Sequence, residues 1–402
     1  MIRVLEINAV YKKGSTGVLM DQIGEVLQED GMEVYYATPD APVSRYTYQI
    51  GNRLDHKGHA VLCRLVGVQG YFSNIATAKL IRWIDRIKPD IIHLHNLHSN
   101  YINYTVLLSY IQKRRIKTII TLHDCWFFTG KCFHFLYDDC LKWQENCGRC
   151  PRKRKEQASL VFDFSKKVLA DKKRLIGDNA NVQIVAVSEW LAAEARKSIL
   201  RNRPISVIRN GIDLGVFQPQ EINRAEKNIP EDEFVLLVMA NKWFAPENVN
   251  IVKELLDSLK TGMRVIVVGC NGNQASHDTR VTCLGRLNAQ QLAQYYSLAD
   301  VFVNLTKVDS FPTVNMEAIS CGTPVVTFDS GGSRESIVEG VTGYVVPYGN
   351  VKLLVEKIEL IKNVGKRAYS DRCRDMARKH FDKSICFDEY CHLIKSILGN
   401  VR

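Results

Sequence analysis

Short apolar runs alternate with stretches of helical periodicity along the whole chain. Residues 2–8, 33–37, 89–95, 117–124 and 183–188 read as strands of a first series, and 234–240, 264–269, 281–285, 301–303 and 325–327 as strands of a second. Consecutive apolar positions of this kind suit strands buried on both faces of a parallel sheet. Helical periodicity covers 18–30, 75–88 and 290–297, and three stretches of the tail, 351–363, 366–379 and 383–398. Strand, polar loop with Gly14 and Gly17, helix, strand is a βαβ unit. Its glycines allow a ligand to come close at a helix start, while a plain tight turn is the other reading. Their spacing is not the dinucleotide-binding fingerprint. Residues 41–75 are poorly periodic and read as surface loops. The pattern predicts an α/β chain of two doubly wound, Rossmann-like domains, 1–208 and 233–380. A polar linker, 209–232, joins them, and a last helix fills 381–402.

Composition narrows the class. Of 402 residues, 46% are hydrophobic and 24% charged, as in a soluble globular protein. No apolar run approaches the roughly 18 residues that span a bilayer, and the opening residues are too mixed for a signal peptide, which points to the cytoplasm. The formal charge of +11 favours anionic partners, namely a nucleotide diphosphate or an anionic lipid surface; no nucleic-acid motif is present. The basic run 151–155 and a helix carrying Lys166, Lys167, Lys172, Lys173 and Arg174 read either as a surface facing the inner leaflet of the plasma membrane or as a merely solvated face.

Twelve cysteines are unevenly spread, and Cys125, Cys132, Cys140, Cys147 and Cys150 fall within 26 residues. The C-x2-C ending at Cys150 is half of a common zinc site, and Cys132, Cys140, Cys147 and Cys150 supply four thiolates. A structural zinc, unliganded thiols and a disulfide all remain open, with a reducing compartment favouring metal over disulfide. Histidines collect at two strand ends. His93 and His95 share a face, the next loop holds Asn96 and His98, and His123-Asp124 ends the strand from 117. Ligands of parallel sheets gather beyond strand carboxyl ends, so His95, His98 and Asp124 form a candidate acceptor wall, with Asp124 adjacent to orient His123.

The stretch 309–327, DSFPTVNMEAISCGTPVVT, holds the most specific chemistry. Pro312 suits a first helical turn, Gly322 and Pro324 stop the helix, and a strand follows. The amides of Phe311, Pro312's carbonyl neighbour Thr313, and Val314 surround a helix start suited to phosphate, and Glu317 lies about one turn inside. Acid, seven residues, acid, then CGTPVV resembles the donor motif of retaining, family-4-type glycosyltransferases of the GT-B fold. PDIIHLHNLH, TLHDCWFFTGKC and NGID-x3-F-x-P resemble bacterial cell-surface polysaccharide glycosyltransferases of the colanic-acid type over nearly the whole chain.

The resemblance implies two domains facing a cleft, with the last helix packed back on the first domain. It implies a nucleotide-diphosphate sugar donor, a lipid-linked or glycan acceptor and no catalytic metal. Glu317 is then assigned to the ribose, and Asp309 with the backbone of Phe311, Pro312, Thr313 and Val314 to the sugar and phosphates. His123 stands at the reaction centre, donating a hydrogen bond to a sugar hydroxyl or to developing charge; Gly14 and Gly17 line the cleft. The family usually has Glu where Asp309 stands. It also places two cations after the strand ending near 240; Lys242 fills the first place, but Glu247 stands at the second. Two rivals follow: a sugar-nucleotide epimerase of the same architecture, and a catalytically impaired donor-binding or scaffold protein.

Overall fold

A computed structural model describes residues 1–399, apart from Gln157, Asn273 and Ala275. The chain forms two compact units, Met1–Arg209 together with the chain from Phe387 onward, and Asn210–Cys386. Unit 1 is built on seven parallel strands: β1 (Arg3–Ile7), β2 (Glu33–Thr38), β3 (Thr47–Gln49), β4 (Ile91–Leu94), β5 (Lys117–Leu122), β6 (Val182–Ala186) and β7 (Ile205–Val207). Their order is β3-β2-β1-β4-β5-β6-β7. Unit 2 has six: β8 (Phe234–Met239), β9 (Met263–Val268), β10 (Val281–Leu284), β11 (Val301–Asn304), β12 (Val325–Asp329) and β13 (Gly343–Pro347), in the order β10-β9-β8-β11-β12-β13. All pairings are parallel. Central strands are apolar on both faces because helices cover both: Val4, Leu5, Ile91, Ile92, Ile119, Ile120, Leu236, Val267 and Val325 are all buried.

In each sheet the chain winds outward from a central strand, returns, and continues on its other side. The reversal falls between β1 and β4 in unit 1, and between β8 and β11 in unit 2. Loops leaving the carboxyl ends of these neighbours diverge, which opens a crevice at each reversal.

Several local expectations change. Gly14 and Gly17 are not a loop but the first turn of the helix Gly14–Glu29. A Cβ on Gly17 would lie 3.0 Å from Val10 Cγ2, so this glycine serves close packing of the incoming chain. The supposed loop 41–75 contains β3 and the helix Arg53–Val66, capped by Asn52, whose side chain accepts from the amides of Leu54 and Asp55, and closed by left-handed Gly67. The stretch read as a linker is tied into unit 2: Arg224 bonds Asp300 at 3.0 Å and the Leu298 carbonyl at 3.0 Å. The helix Lys383–Gly399 leaves unit 2, and from Phe387 it belongs to unit 1, where the Tyr390 hydroxyl meets Thr121 Oγ1 at 2.9 Å. Among the described residues no helix is long and apolar enough to cross a membrane.

Candidate active site

The helix Thr313–Ser320 starts beside the crevice of unit 2, and Pro312 occupies its cap position, not its first turn. No side chain caps it, so the leading amides stay available to a ligand. Asp309 turns its own loop: Oδ1 accepts from the Phe311 amide at 3.2 Å, and its carbonyl accepts from the Gly332 amide at 2.9 Å. Gly331 has φ +60°, and a Cβ there would sit 2.2 Å from the Asp309 carbonyl, so the glycine turn presses directly on the acidic loop. Phe311 is buried, and its carbonyl accepts from Asn210. Ser310 is buried too, and its hydroxyl has no hydrogen-bond partner among the described residues.

Glu317 accepts from the Tyr296 hydroxyl at 3.0 Å and from the Thr313 hydroxyl. Burial pushes this carboxyl up to about 7, against the pull of those two bonds. A carboxylate offers roughly four acceptor sites, so Glu317 keeps capacity for further donors such as vicinal hydroxyls.

Lys242 follows β8 in the short helix Ala240–Trp243 and forms no ion pair among the described residues. Glu247 is exposed in the turn Pro246–Asn248, near enough to Tyr348 to help raise that phenol. Lys307, just past β11, lies 5.9 Å from the same ring. Arg334 pairs with Asp329 at 3.0 Å.

The crevice of unit 1 is built around a carboxylate that sequence reading passed over. Glu6 lies on β1 with no exposed surface, directly paired in register with His93 on β4. Its Oε1 meets His93 Nδ1 at 3.0 Å and its Oε2 meets His95 Nε2 at 2.7 Å. His93 Nε2 meets Thr121 Oγ1 at 2.7 Å, and His95 Nδ1 meets His123 Nε2 at 2.9 Å. Burial acts to raise Glu6, but the charge and hydrogen bonds of His93 and His95 outweigh it and hold the acid at about 2. Glu6, His93 and His95 are close enough to hold an ion, their ligand atoms lying within 4.8 Å. Both carboxylate oxygens are nonetheless already engaged by imidazole nitrogens, so the group reads as a hydrogen-bond network.

The network fixes tautomers. Burial lowers His95 to about 4 and pushes His123 well below the usual imidazole range, so both are neutral. His95 must place its hydrogen on Nε2, facing ionised Glu6, which leaves Nδ1 bare. His123 therefore donates from Nε2 to His95, and its outer nitrogen, Nδ1, is an acceptor. The expected donation from His123 does not fit this tautomer, whose outer nitrogen carries no hydrogen. Asp124 does not orient His123 either: its Oδ2 holds His98 Nε2 at 3.1 Å, and its Oδ1 accepts from the Trp126 amide at 2.8 Å. Asn8, buried just past β1, adds an amide nitrogen with no partner among the described residues.

Two parallel-stranded units, with polar groups gathered at the reversal point of each sheet, define a glycosyltransferase of the GT-B type. Residues 16–216 match Glycosyltransferase Family 4, and residues 219–380 match Glycosyl transferases group 1. The chain belongs to Glycosyltransferase Family 4. It is 22% identical over 384 residues to the putative colanic acid biosynthesis glycosyl transferase WcaC of Escherichia coli K12, covering 88% of this chain and 90% of the relative. Sucrose-phosphate synthase from Thermosynechococcus elongatus superposes with a TM-score of 0.74 at 17% identity, covering 100% of both chains. Anabaena HepE in complex with UDP-glucose superposes with a TM-score of 0.67 at 18% identity, covering 98% of this chain and 100% of HepE.

The hydrogen-bond chain makes a spectroscopic prediction. Long-range proton–nitrogen NMR should show His95 and His123 as neutral Nε2–H tautomers that do not titrate between about pH 5.5 and 8. Glu6→Gln, which sets an amide against two imidazole N–H donors, should cost about 3–5 kcal/mol in denaturant unfolding and disturb both tautomers. An unchanged His123 signal in a stable Glu6→Gln protein would refute the chain of donors.

Proposed function

We propose that this glycosyltransferase moves a hexose, with retention, from a nucleotide-diphosphate sugar to a lipid-linked or glycan acceptor in cell-surface glycan synthesis. The observation that carries the donor reading is Glu317, a poorly solvated carboxylate with spare acceptor capacity beside an uncapped helix start. Ribose hydroxyls supply the donors it lacks. The helix amides, the Ser310 hydroxyl and Lys242 face the phosphates in this reading, and Lys307 offsets Glu247. Asp309 takes the sugar. HepE's complex with UDP-glucose and the likeness to WcaC support the choice of donor class and of pathway.

His123 accepts a hydrogen bond from a sugar hydroxyl at Nδ1. When the departing diphosphate draws a proton from the acceptor hydroxyl, positive charge developing near His123 is stabilised through His95 by Glu6. The leaving group is a good one, so positioning and charge stabilisation suffice for much of the rate, without a catalytic metal. His95, expected on the acceptor wall, is wholly buried with both ring nitrogens engaged, so the wall is His98 and Asp124, both partly exposed. An impaired donor-binding protein is the second reading, favoured only by Glu247. Radiolabelled transfer to a lipid extract separates the two: Glu317→Ala should abolish transfer. A gain of transfer in Glu247→Lys over a near-silent parent would support impairment.

Peripheral membrane docking is proposed at a different surface from the one composition suggests. Lys172 is wholly buried, Lys167 and Arg174 both pair with Asp171, and Arg152 is buried against Asp138 and Glu156. The helix Arg53–Val66 instead turns an apolar stripe outward, with Leu54, Val61, Leu62 and Leu65 from 43% to 79% exposed. Leu160, Val161 and Phe162, at 52–58% exposure, continue it, since the Leu160 amide donates to the Arg64 carbonyl at 2.8 Å. Exposed Arg53, Lys57, Arg64 and Arg154 edge the patch. Apolar side chains bordered by cations suit the interface of an anionic leaflet.

Two measurements check these assignments. In the free protein Glu317 is protonated below about 7, and hydroxyl donors need the ionised form. UDP affinity should therefore rise about tenfold from pH 6 to pH 8, and the rise should vanish in Glu317→Gln. A flat wild-type profile would remove Glu317 from the ribose. For the membrane, flotation with phosphatidylglycerol vesicles should capture the protein, and Leu62→Ser with Phe162→Ser should weaken capture at least about tenfold. Equal capture by neutral vesicles would count against the basic edge.

A further inference from the structure

We propose that Cys132, Cys140, Cys147 and Cys150 bind a zinc ion as a tetrathiolate and so staple the insertion that follows β5. Between Cys125 and Phe164 the described chain forms only three short turns, Trp126–Phe128, Phe135–Tyr137 and Lys142–Gln144, with no strand or α-helix. A segment of that length without regular structure needs another source of order. Part comes from Trp126, Phe127, Phe128, Phe135 and Trp143, all buried. The rest of the segment, from Lys131 to Pro151, wraps around thiols.

All four sulfur residues line one small cavity of about 20 Å³, room for a single ion or water and not for an organic ligand. They arrive from separate turns, and Cys132 and Cys150 are close enough for one thiol to hydrogen-bond the other. Gly130 makes the approach of Cys147 feasible: a Cβ there would lie 3.0 Å from both Cβ and Sγ of Cys147 and 2.4 Å from the Ser165 carbonyl. Soft thiolates in a set of four select zinc among common divalent ions. Binding must draw the sulfurs inward. Among the described residues no three lie within 4.8 Å of one another, whereas zinc–sulfur bonds of about 2.3 Å place them about 3.8 Å apart.

The surrounding charge points the same way. Lys131 and Lys142 line the cavity. Lys172 is buried beneath the insertion, donating to the Trp126 carbonyl and, at 2.9 Å, to that of Thr129, with its ammonium 3.5 Å from the centre of the Trp126 ring. Burial works against its charge, the Asp124 carboxylate does most to favour the protonated form, and thiolate charge on Cys147 and Cys132 adds to it. Four thiolates around a divalent ion leave net negative charge, which three lysines are placed to offset.

The test uses the full chain purified without chelators after growth with zinc. Elemental analysis should find about one equivalent of zinc per chain. Exchange for cobalt should give the intense sulfur-to-cobalt and tetrahedral d–d bands of an all-thiolate site. The double variant Cys147→Ser, Cys150→Ser should lose the metal, while Cys283→Ser, outside the cluster, should keep it. Chelation should speed proteolysis within 131–155 at least about tenfold. Should the double variant fail to fold, the wild-type cobalt spectrum decides alone. Metal-free protein with an intact fold would overturn the proposal, whether its cluster thiols prove freely reactive or are paired as disulfides in non-reducing mass spectra. Neither metal content nor the cobalt spectrum depends on the assignment of sugar transfer.

Discussion

A carboxylate sealed from water at the centre of a sheet is tolerable only if its charge is met on every side, and Glu6 imposes that condition on unit 1. Its two oxygens claim one nitrogen each from His93 and His95. The remaining nitrogens are then committed in turn, to Thr121 on one branch and to His123 on the other. Thr121 passes the requirement on to Tyr390 of the last helix. One buried charge thus ties three strands and the end of the chain into a single network, and dictates which nitrogen of His123 faces outward. Cutting the network at any member strands a polar group away from solvent, so its geometry is stiff where a reacting group needs to be held.

Glu317 is the counterpart in unit 2, and the contrast is informative. Both acids are poorly solvated, but Glu6 is driven down to about 2 and Glu317 up to about 7. The difference lies in donors. Glu6 faces imidazole nitrogens that engage both of its oxygens. Glu317 has two hydroxyl donors, Tyr296 and Thr313, and burial outweighs them. A site satisfied by its own protein is structural or transmits an effect; one left short of donors is suited to receive them from a ligand. Both stand at a sheet reversal because only there do neighbouring loops part.

The strands were legible because parallel sheets demand unbroken apolar runs, and the donor stretch was legible because a proline, an internal acid and a Cys-Gly-Thr-Pro turn each leave a local mark. Glu6 was not, since a single acid inside IRVLEIN acquires meaning only when register sets it against His93. The helix Arg53–Val66 escaped notice although Asn52 and Gly67 mark its ends. Gly58 interrupts it, and its apolar stripe faces outward, so the usual equation of periodicity with burial failed. Lys172 shows the limit of counting charges: in sequence it belongs to a basic helix, yet the Trp126 ring and two carbonyls enclose it. Net charge says nothing about which cations reach the surface.

The two sides of the unit 1 crevice consequently rest on different supports. His95 and His123 are fixed from below by Glu6, inside the sheet. His98 and Asp124 are fixed from the insertion: Asp124 caps the Trp126 amide, and the His98 ring lies 4.4 Å from Phe133 and 5.7 Å from Trp126. Trp126 in turn sits on Lys172, and Cys132 adjoins Phe133, so order around the thiols is passed directly to His98 and Asp124. Loosening the insertion would displace His98 and Asp124 while leaving the His95–His123 pair in place. The crevice thus has one side held from inside the sheet and another held by the insertion. The insertion begins one residue after Asp124, so it reaches that side of the crevice first.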